Sequence, residues 1–231
     1  MLVLQTYPPV LGLRSASPFT VKAEALLAMS GLPHELRHVS DPRRAPRGKL
    51  PVLLDGDAVI PDSAHIQTHL ERVHGADFDG SLDDARRATA TAFRRLVEHH
   101  LYFIAGHLRW EMHPEAVRDA YFRDIPGPLR GVVFALANRQ ARRAMHGQGL
   151  GRHTRDELVA FAEQDVEALA TELGDRDCFL GDRPTSIDAT VYGALHGILD
   201  CTLDTPLKAA AEARPNLRAY VDRMTARLFP G

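Results

Sequence analysis

Lysine is nearly missing from this chain. It occurs only at positions 22, 49 and 208, so arginine supplies almost all of the 28 basic residues. Those are matched by 30 acidic residues, for a net charge of −2, which leaves no excess of positive charge to hold a nucleic acid or an anionic membrane surface. Cysteine is scarce too. Cys178 and Cys201 are the only two, too few for a disulfide framework and in keeping with a reducing compartment. No apolar run approaches the ~18 to 20 residues of a membrane span. The opening MLVLQTYPP lacks a basic region, an apolar stretch and a small-residue cleavage site. The expectation is a soluble, cytoplasmic protein without a nucleic-acid or membrane partner. Paired Cys/His spacing and an HExxH motif are also absent, so no metal site is predicted, and His99, His100, His107 and His113 read as satisfied helix histidines. Cys178 and Cys201 read as small buried hydrophobes.

What is present is ordinary for a globule: 231 residues, 45% hydrophobic and 25% charged, enough chain to bury a core without staples. Leu2 to Gln5 reads as a short buried strand. A loop follows, then a helix from Pro18 to Ser30, with Ser17 as N-cap, Pro18 at the first position and Gly31 as the stop. Phe19, Ala23, Leu26, Leu27 and Ser30 share one face of it. His34 to Val39 suits a second strand. Val52 to Leu54 and Ala58 to Ile60 suit two more, joined by the hairpin signal Asp55-Gly56-Asp57. A helix from Asp62 to His74 turns Ile66, Leu70 and Val73 inward and stops at Gly75.

Past residue 80 no strand pattern occurs. Ser81 is the expected cap of a long helix reaching Trp110, striped by Phe93, Val97, Leu101, Ile104 and Leu108. A further helix from Pro114 is interrupted at Pro126-Gly127-Pro128. Thr154 with Glu157, and Thr185 with Asp188, open later helices as capping boxes, and Pro215 begins the last. Gly147, Gly149 and Gly151 imitate a nucleotide loop but follow no strand. The fold class is therefore an α/β domain at 1–76 followed by an all-helical domain at 82–231.

The order strand, helix, three strands, helix, carrying KLPVLLDG and IPDS, resembles the glutathione transferase superfamily, whose members join a thioredoxin-like N-terminal domain to a helical C-terminal one. SPFTVKAEALLAMSGLPHE, EHHLYF, IPGPLR, HGQGLGRHTRDEL and FLGDRPTSIDATVYG look like its failed-axon-connections or metaxin-like branch, in a bacterial form. The resemblance implies that Pro51 is cis, so that the Leu50 N–H and C=O can pair with an extended peptide. That peptide is glutathione, used as co-substrate. Ser63 and the helix N-terminus suit its γ-glutamyl carboxylate, and Asp62 suits the neighbouring ammonium, where most relatives carry Glu or Gln. Both residues also suit plain helix caps. Among Arg43, Arg44, Arg47 and Lys49, the cation nearest the site, Lys49, is the first choice for the glycine carboxylate.

Cys-type relatives open the first helix with a cysteine. Ser17-Pro18-Phe19-Thr20 stands at that place, so a mixed disulfide is disfavoured and activation of the glutathione thiol is the remaining role. Lowering a thiol pKa by two units requires about 2.7 kcal/mol. A helix N-terminus supplies roughly 0.3 to 1 and a hydroxyl hydrogen bond to charged sulfur roughly 1.5 to 3. Ser17 ranks first for this donor, Tyr7 second as the residue that follows the first strand in Tyr-type relatives, and Ser15 third. Tyr102 and Trp110 are candidates for the wall of a second-substrate site between the domains, on the side of the long helix that also carries Glu98 and Arg109. The implied activity is conjugation of glutathione to a small electrophile, an epoxide or activated halide, by a homodimer. The alternative is a non-catalytic scaffold of the same fold.

Overall fold

A computed structural model describes residues 1–230. Four strands, β1 (Leu2–Thr6), β2 (His34–His38), β3 (Val52–Asp55) and β4 (Ala58–Pro61), form one sheet in the order β2-β1-β3-β4. β1 runs parallel to β2 and antiparallel to β3, with Gln5 opposite Val52. β3 and β4 are the hairpin that Asp55-Gly56-Asp57 announces, and Val52 lies opposite Pro61. Leu2, Leu4 and Thr6 point from β1 into the core, as a period of two requires. β2 is the edge strand and is largely exposed.

Helices α1 (Pro18–Ser30) and α2 (Ser63–His74) pack on this sheet, and both end on a glycine in the left-handed region, Gly31 at φ 67° and Gly75 at φ 70°. Then come α3 (Asp84–Leu96), α4 (Tyr102–Met112), α5 (Pro114–Tyr121), α6 (Gly127–Gln148), α7 (Arg155–Leu173), α8 (Ser186–Leu199), α9 (Pro206–Glu212) and α10 (Pro215–Leu228). A small mixed sheet followed by a helical remainder is the architecture that the resemblance implies.

The structure departs from the sequence-based expectation in four places. α1 is not one-faced. Residues Thr20 to Leu27 are all buried, because α8 covers the side that the sheet does not. Gly193 allows that approach: a Cβ there would stand 2.6 Å from the Pro18 carbonyl oxygen. Val73 is 61% exposed, and Gln67 is buried on α2 where the apolar spacing does not predict it. The cap of α3 is Asp83, whose carboxylate accepts the Arg86 N–H at 2.8 Å, and not Ser81. Finally, the long helix expected up to Trp110 does run continuously to Met112, but it winds through a π-helical turn at Val97–Leu101. The extra residue in such a turn re-aims the side chains beyond it.

The two capping boxes occur where expected. Asp188 is the deeper one: its buried carboxylate accepts the N–H groups of Thr185 and Phe179, each at 2.8 Å, and the Tyr220 hydroxyl at 3.1 Å. Asp79 accepts from the N–H and hydroxyl of Ser186 at 2.9 and 2.7 Å, so the chain leading into α3 is fastened to the start of α8. Cys178 and Cys201 are buried free thiols.

Candidate functional site

A cavity of about 580 Å³ opens where α1 and the loop before β3 meet α4. Tyr7, Ser17, Lys49 and Leu50 line one side, and Tyr102 and Trp110 line the other. With Ser15, which lines the same cavity, seven of the site candidates that the sequence offers share one space. Pro51, Asp62 and Ser63 lie outside its lining but next to it.

Ser17 has the extended backbone of an N-cap (φ −122°, ψ 128°), yet its side chain makes no cap hydrogen bond. Only its carbonyl serves the helix, accepting the Thr20 and Val21 N–H groups at 3.1 and 3.2 Å. The hydroxyl is left at the positive end of α1, facing the cavity. Ser15 differs. It is 2% exposed and accepts hydrogen bonds from Thr20 Oγ1 at 2.6 Å and Thr6 Oγ1 at 3.1 Å. Tyr7 is half-buried. Burial pushes its phenol up to about 12, opposed by the Leu50 backbone amide, so Tyr7 stays a neutral hydroxyl at neutral pH.

The Leu50–Pro51 peptide bond is cis. The Pro51 carbonyl accepts the backbone N–H of Asp62 at 3.1 Å. Asp62 has φ 81°, outside the range that residues other than glycine commonly adopt. Its carboxylate accepts the Ala64 N–H at 2.9 Å and stands 3.6 Å from Arg47. Ser63 is 3% exposed at the first position of α2. In the basic loop, Arg43 is held by Asp41 at 2.6 Å and Arg47 by Asp62 and His65. Lys49 has no carboxylate partner among the described residues and reaches the cavity.

Tyr102 meets Phe19 edge-on at 4.8 Å, and burial raises its phenol pKa as well. Trp110 stacks on Phe134 at 5.9 Å, with Tyr121 and Phe122 edge-on to it. The far end of the cavity is therefore aromatic.

Two arrangements escaped the sequence reading. Lys22 is buried, and its Nζ meets Glu98 Oε1 at 2.6 Å. Burial pulls the Lys22 pKa down, and Glu98 opposes that pull. This pair ties the second turn of α1 to the π turn. A buried lysine in an apolar helix was the available signal. The second is Asp55, His69 and His74, whose ligand-type atoms lie within 4.8 Å of one another. Both imidazoles contact the same Asp55 oxygen, at 2.9 and 2.7 Å, and clamp α2 to the hairpin. The histidines weighed from sequence are partnered, His100 with Asp165 at 2.6 Å and His107 with Glu111 at 3.3 Å.

Residues 18–116 match the family description "Glutathione S-transferase N-terminal domain" and residues 162–224 match "Glutathione S-transferase, C-terminal domain". Tyr7, Ser15 and Ser17 precede the first match. The chain is 30% identical to the isoprene-epoxide–glutathione S-transferase of Rhodococcus sp. (strain AD45), over 97% of this chain and 98% of that protein. It is 31% identical to metaxin-1 of Macaca fascicularis, over 87% of this chain and 67% of that one. The crystal structure of β-etherase LigF from Sphingobium sp. strain SYK-6 superposes with a TM-score of 0.69 at 19% identity, over 97% of this chain and 95% of that chain. No helix among the described residues is long and apolar enough to cross a membrane. Fold, family matches and full-length relative agree: the chain belongs to the glutathione S-transferase superfamily, in its metaxin-like branch.

Proposed function

We propose that this protein conjugates glutathione to a small electrophile, an epoxide or activated halide, and that residues 1–76 bind the glutathione while residues 82–231 complete the second-substrate site. The observation that carries this reading is the Ser17 hydroxyl, unbonded at the N-terminus of α1 and facing a largely apolar cavity beside Leu50. The epoxide-specific relative supports the same class. In this reading Leu50 pairs with the glutathione backbone, and Pro51 turns that edge outward. Lys49 takes the glycine carboxylate, while Ser63 and Asp62 hold the γ-glutamyl end. Ser17 donates to the sulfur and favours its thiolate, with Tyr7 as the second candidate and Ser15 the third.

The thiolate attacks an electrophilic carbon. The C–S bond forms as the epoxide C–O bond breaks, and the resulting alkoxide takes a proton from water or from the neutral Tyr102 hydroxyl. With a halide, the halide ion leaves with the bonding pair. Tyr102 and Trp110 supply the wall against which the electrophile rests. Calorimetry with glutathione tests the first step, and product formation with an epoxide tests the second.

The second reading is a non-catalytic binding protein of the same fold, favoured by the metaxin relative. It predicts no detectable heat with glutathione at millimolar concentration for folded protein. The transferase reading places the protein in the cytoplasm as a homodimer. Light scattering tests the dimer.

A further inference from the structure

Two arginines in the cavity lining, Arg109 and Arg123, are not used by the function proposed above; Arg123 is paired with Asp124 at 3.8 Å, and Arg109 is not paired with an acid. Arg109 lies on α4, seven residues beyond Tyr102, and lines the aromatic end. Its Nη1 donates to the Tyr121 hydroxyl at 2.9 Å and its Nη2 donates to the Gly197 carbonyl of α8. Both acceptors are neutral. No carboxylate lies within ion-pair distance of Arg109 among the described residues. The two acids in the same lining are committed elsewhere: Glu98 to Lys22 at 2.6 Å, and Asp124 to the Ser40 hydroxyl at 2.7 Å and to Arg123 at 3.8 Å. A guanidinium does not deprotonate to escape burial, so its charge stays uncompensated. The remaining N–H donors of its fork have no acceptor, and a planar fork of this kind matches a carboxylate bidentately.

The space beside it is open. Gly106 and Gly197 both line the cavity, and a Cβ on either would meet nothing within 4 Å. Tyr121, accepting from Arg109, keeps its own O–H free to donate in turn. Trp110 and Phe122 make the rest of this end apolar.

We propose that Arg109, with Tyr121, is an anion-recognition point, and that the electrophile this protein takes is a carboxylate-bearing molecule with an otherwise apolar body. The proposal rests on the transferase reading for the word electrophile, but the binding it requires does not depend on turnover. A half-buried cation without a counter-ion regains part of its lost solvation when an anion binds, which makes charge the selecting feature.

The test uses the single tryptophan, which lies in the same lining as Arg109. Quenching of Trp110 by 3-nitrobenzoate and by its methyl ester reports binding of the same ring with and without the charge. The protein should bind the acid more tightly than the ester. Arg109→Met should weaken the acid about 30-fold and leave the ester within about twofold, with Arg109→Lys intermediate for the acid. Tyr121→Phe should weaken the acid without unfolding the protein. Acid and ester binding alike, or falling alike in Arg109→Met, would mean that Arg109 only braces α4 against α8, and would overturn the proposal. So would a variant that slows turnover of a neutral epoxide while acid binding is unchanged, because the oxygen recognised would then be the epoxide's own. Loss of glutathione binding with acid selectivity intact would remove the transferase reading and leave this site standing.

Discussion

The backbone N–H of Asp62 donates to the carbonyl of Pro51 at 3.1 Å. That bond welds the N-terminus of α2 to the turn that carries the cis Leu50–Pro51 bond. The edge that the resemblance pairs with the glutathione backbone and the helix tip that it gives to the γ-glutamyl end are therefore joined directly, and the pairing of Val52 with Pro61 reinforces the join.

Asp62 serves that edge at a backbone cost. At φ 81° it occupies a region better suited to glycine, and its side chain caps α2 through the Ala64 N–H. Asp62→Ala loses the cap and keeps the unfavourable dihedral, for a loss of about 1 kcal/mol or more. Asp62→Gly loses the cap but relieves the dihedral. Urea denaturation should rank the glycine variant at least as stable as the alanine variant, the reverse of their order inside a helix.

Lys49 is the basic-loop side chain that reaches the cavity without a carboxylate partner. Lys49→Met should weaken glutathione binding about tenfold by calorimetry, and the loss should shrink as salt rises. Arg43→Met, which removes a side chain already engaged by Asp41, should leave the affinity unchanged.

The Lys22–Glu98 pair is desolvated, with side chains 2% and 11% exposed. Removing one partner strands a buried charge. Glu98→Gln should destabilise by about 3 kcal/mol, while Lys22→Met with Glu98→Leu should recover most of that loss. A double-mutant cycle in guanidinium chloride measures the coupling.

Hydrogen bonds from His69 and then His74 hold the Asp55 carboxyl below its ordinary range. A carboxylate with a depressed folded-state pKa stabilises the fold fully above its unfolded value of about 3.9, and that contribution fades as pH falls through the folded value. The stability difference between wild type and Asp55→Asn should therefore be constant near neutrality and shrink below pH of about 4. A series of urea titrations across that range checks it.

Much of this architecture is written in local chemistry. Pro18 and Gly31 bracket α1, Asp55-Gly56-Asp57 turns the hairpin, and Thr154 with Glu157 opens α7, because each acts within a few residues of itself. The cavity's lining is also legible in part: Ser17, Leu50, Tyr102 and Trp110 stand out in the sequence and line one space. The features missed depend on distant partners. The apolar stripe through Val97, Leu101 and Ile104 runs on without a visible break, so the π turn does not show. Val73 keeps the helical spacing of Ile66 and Leu70 but is 61% exposed in the last turn of α2. His69 and His74 meet Asp55 from 14 and 19 residues away, and Lys22 reads as a surface lysine until α8 is seen to cover its helix. Ser17 shows the limit most clearly: its residue type predicts a cap, and only the structure shows the hydroxyl free.

The most direct measurement is the ultraviolet absorbance of the glutathione thiolate in the complex, titrated with pH in wild type and in Ser17→Ala. The account predicts an apparent thiol pKa near ~6.5 in wild type, returning towards ~8.5 in Ser17→Ala, with glutathione affinity near pH ~7.5 falling about tenfold, as that shift requires, and conjugation slowed about 100-fold. Tyr7→Phe should leave the titration in place. Superimposable curves for wild type and Ser17→Ala, or no thiolate signal from saturated wild-type protein, would contradict it.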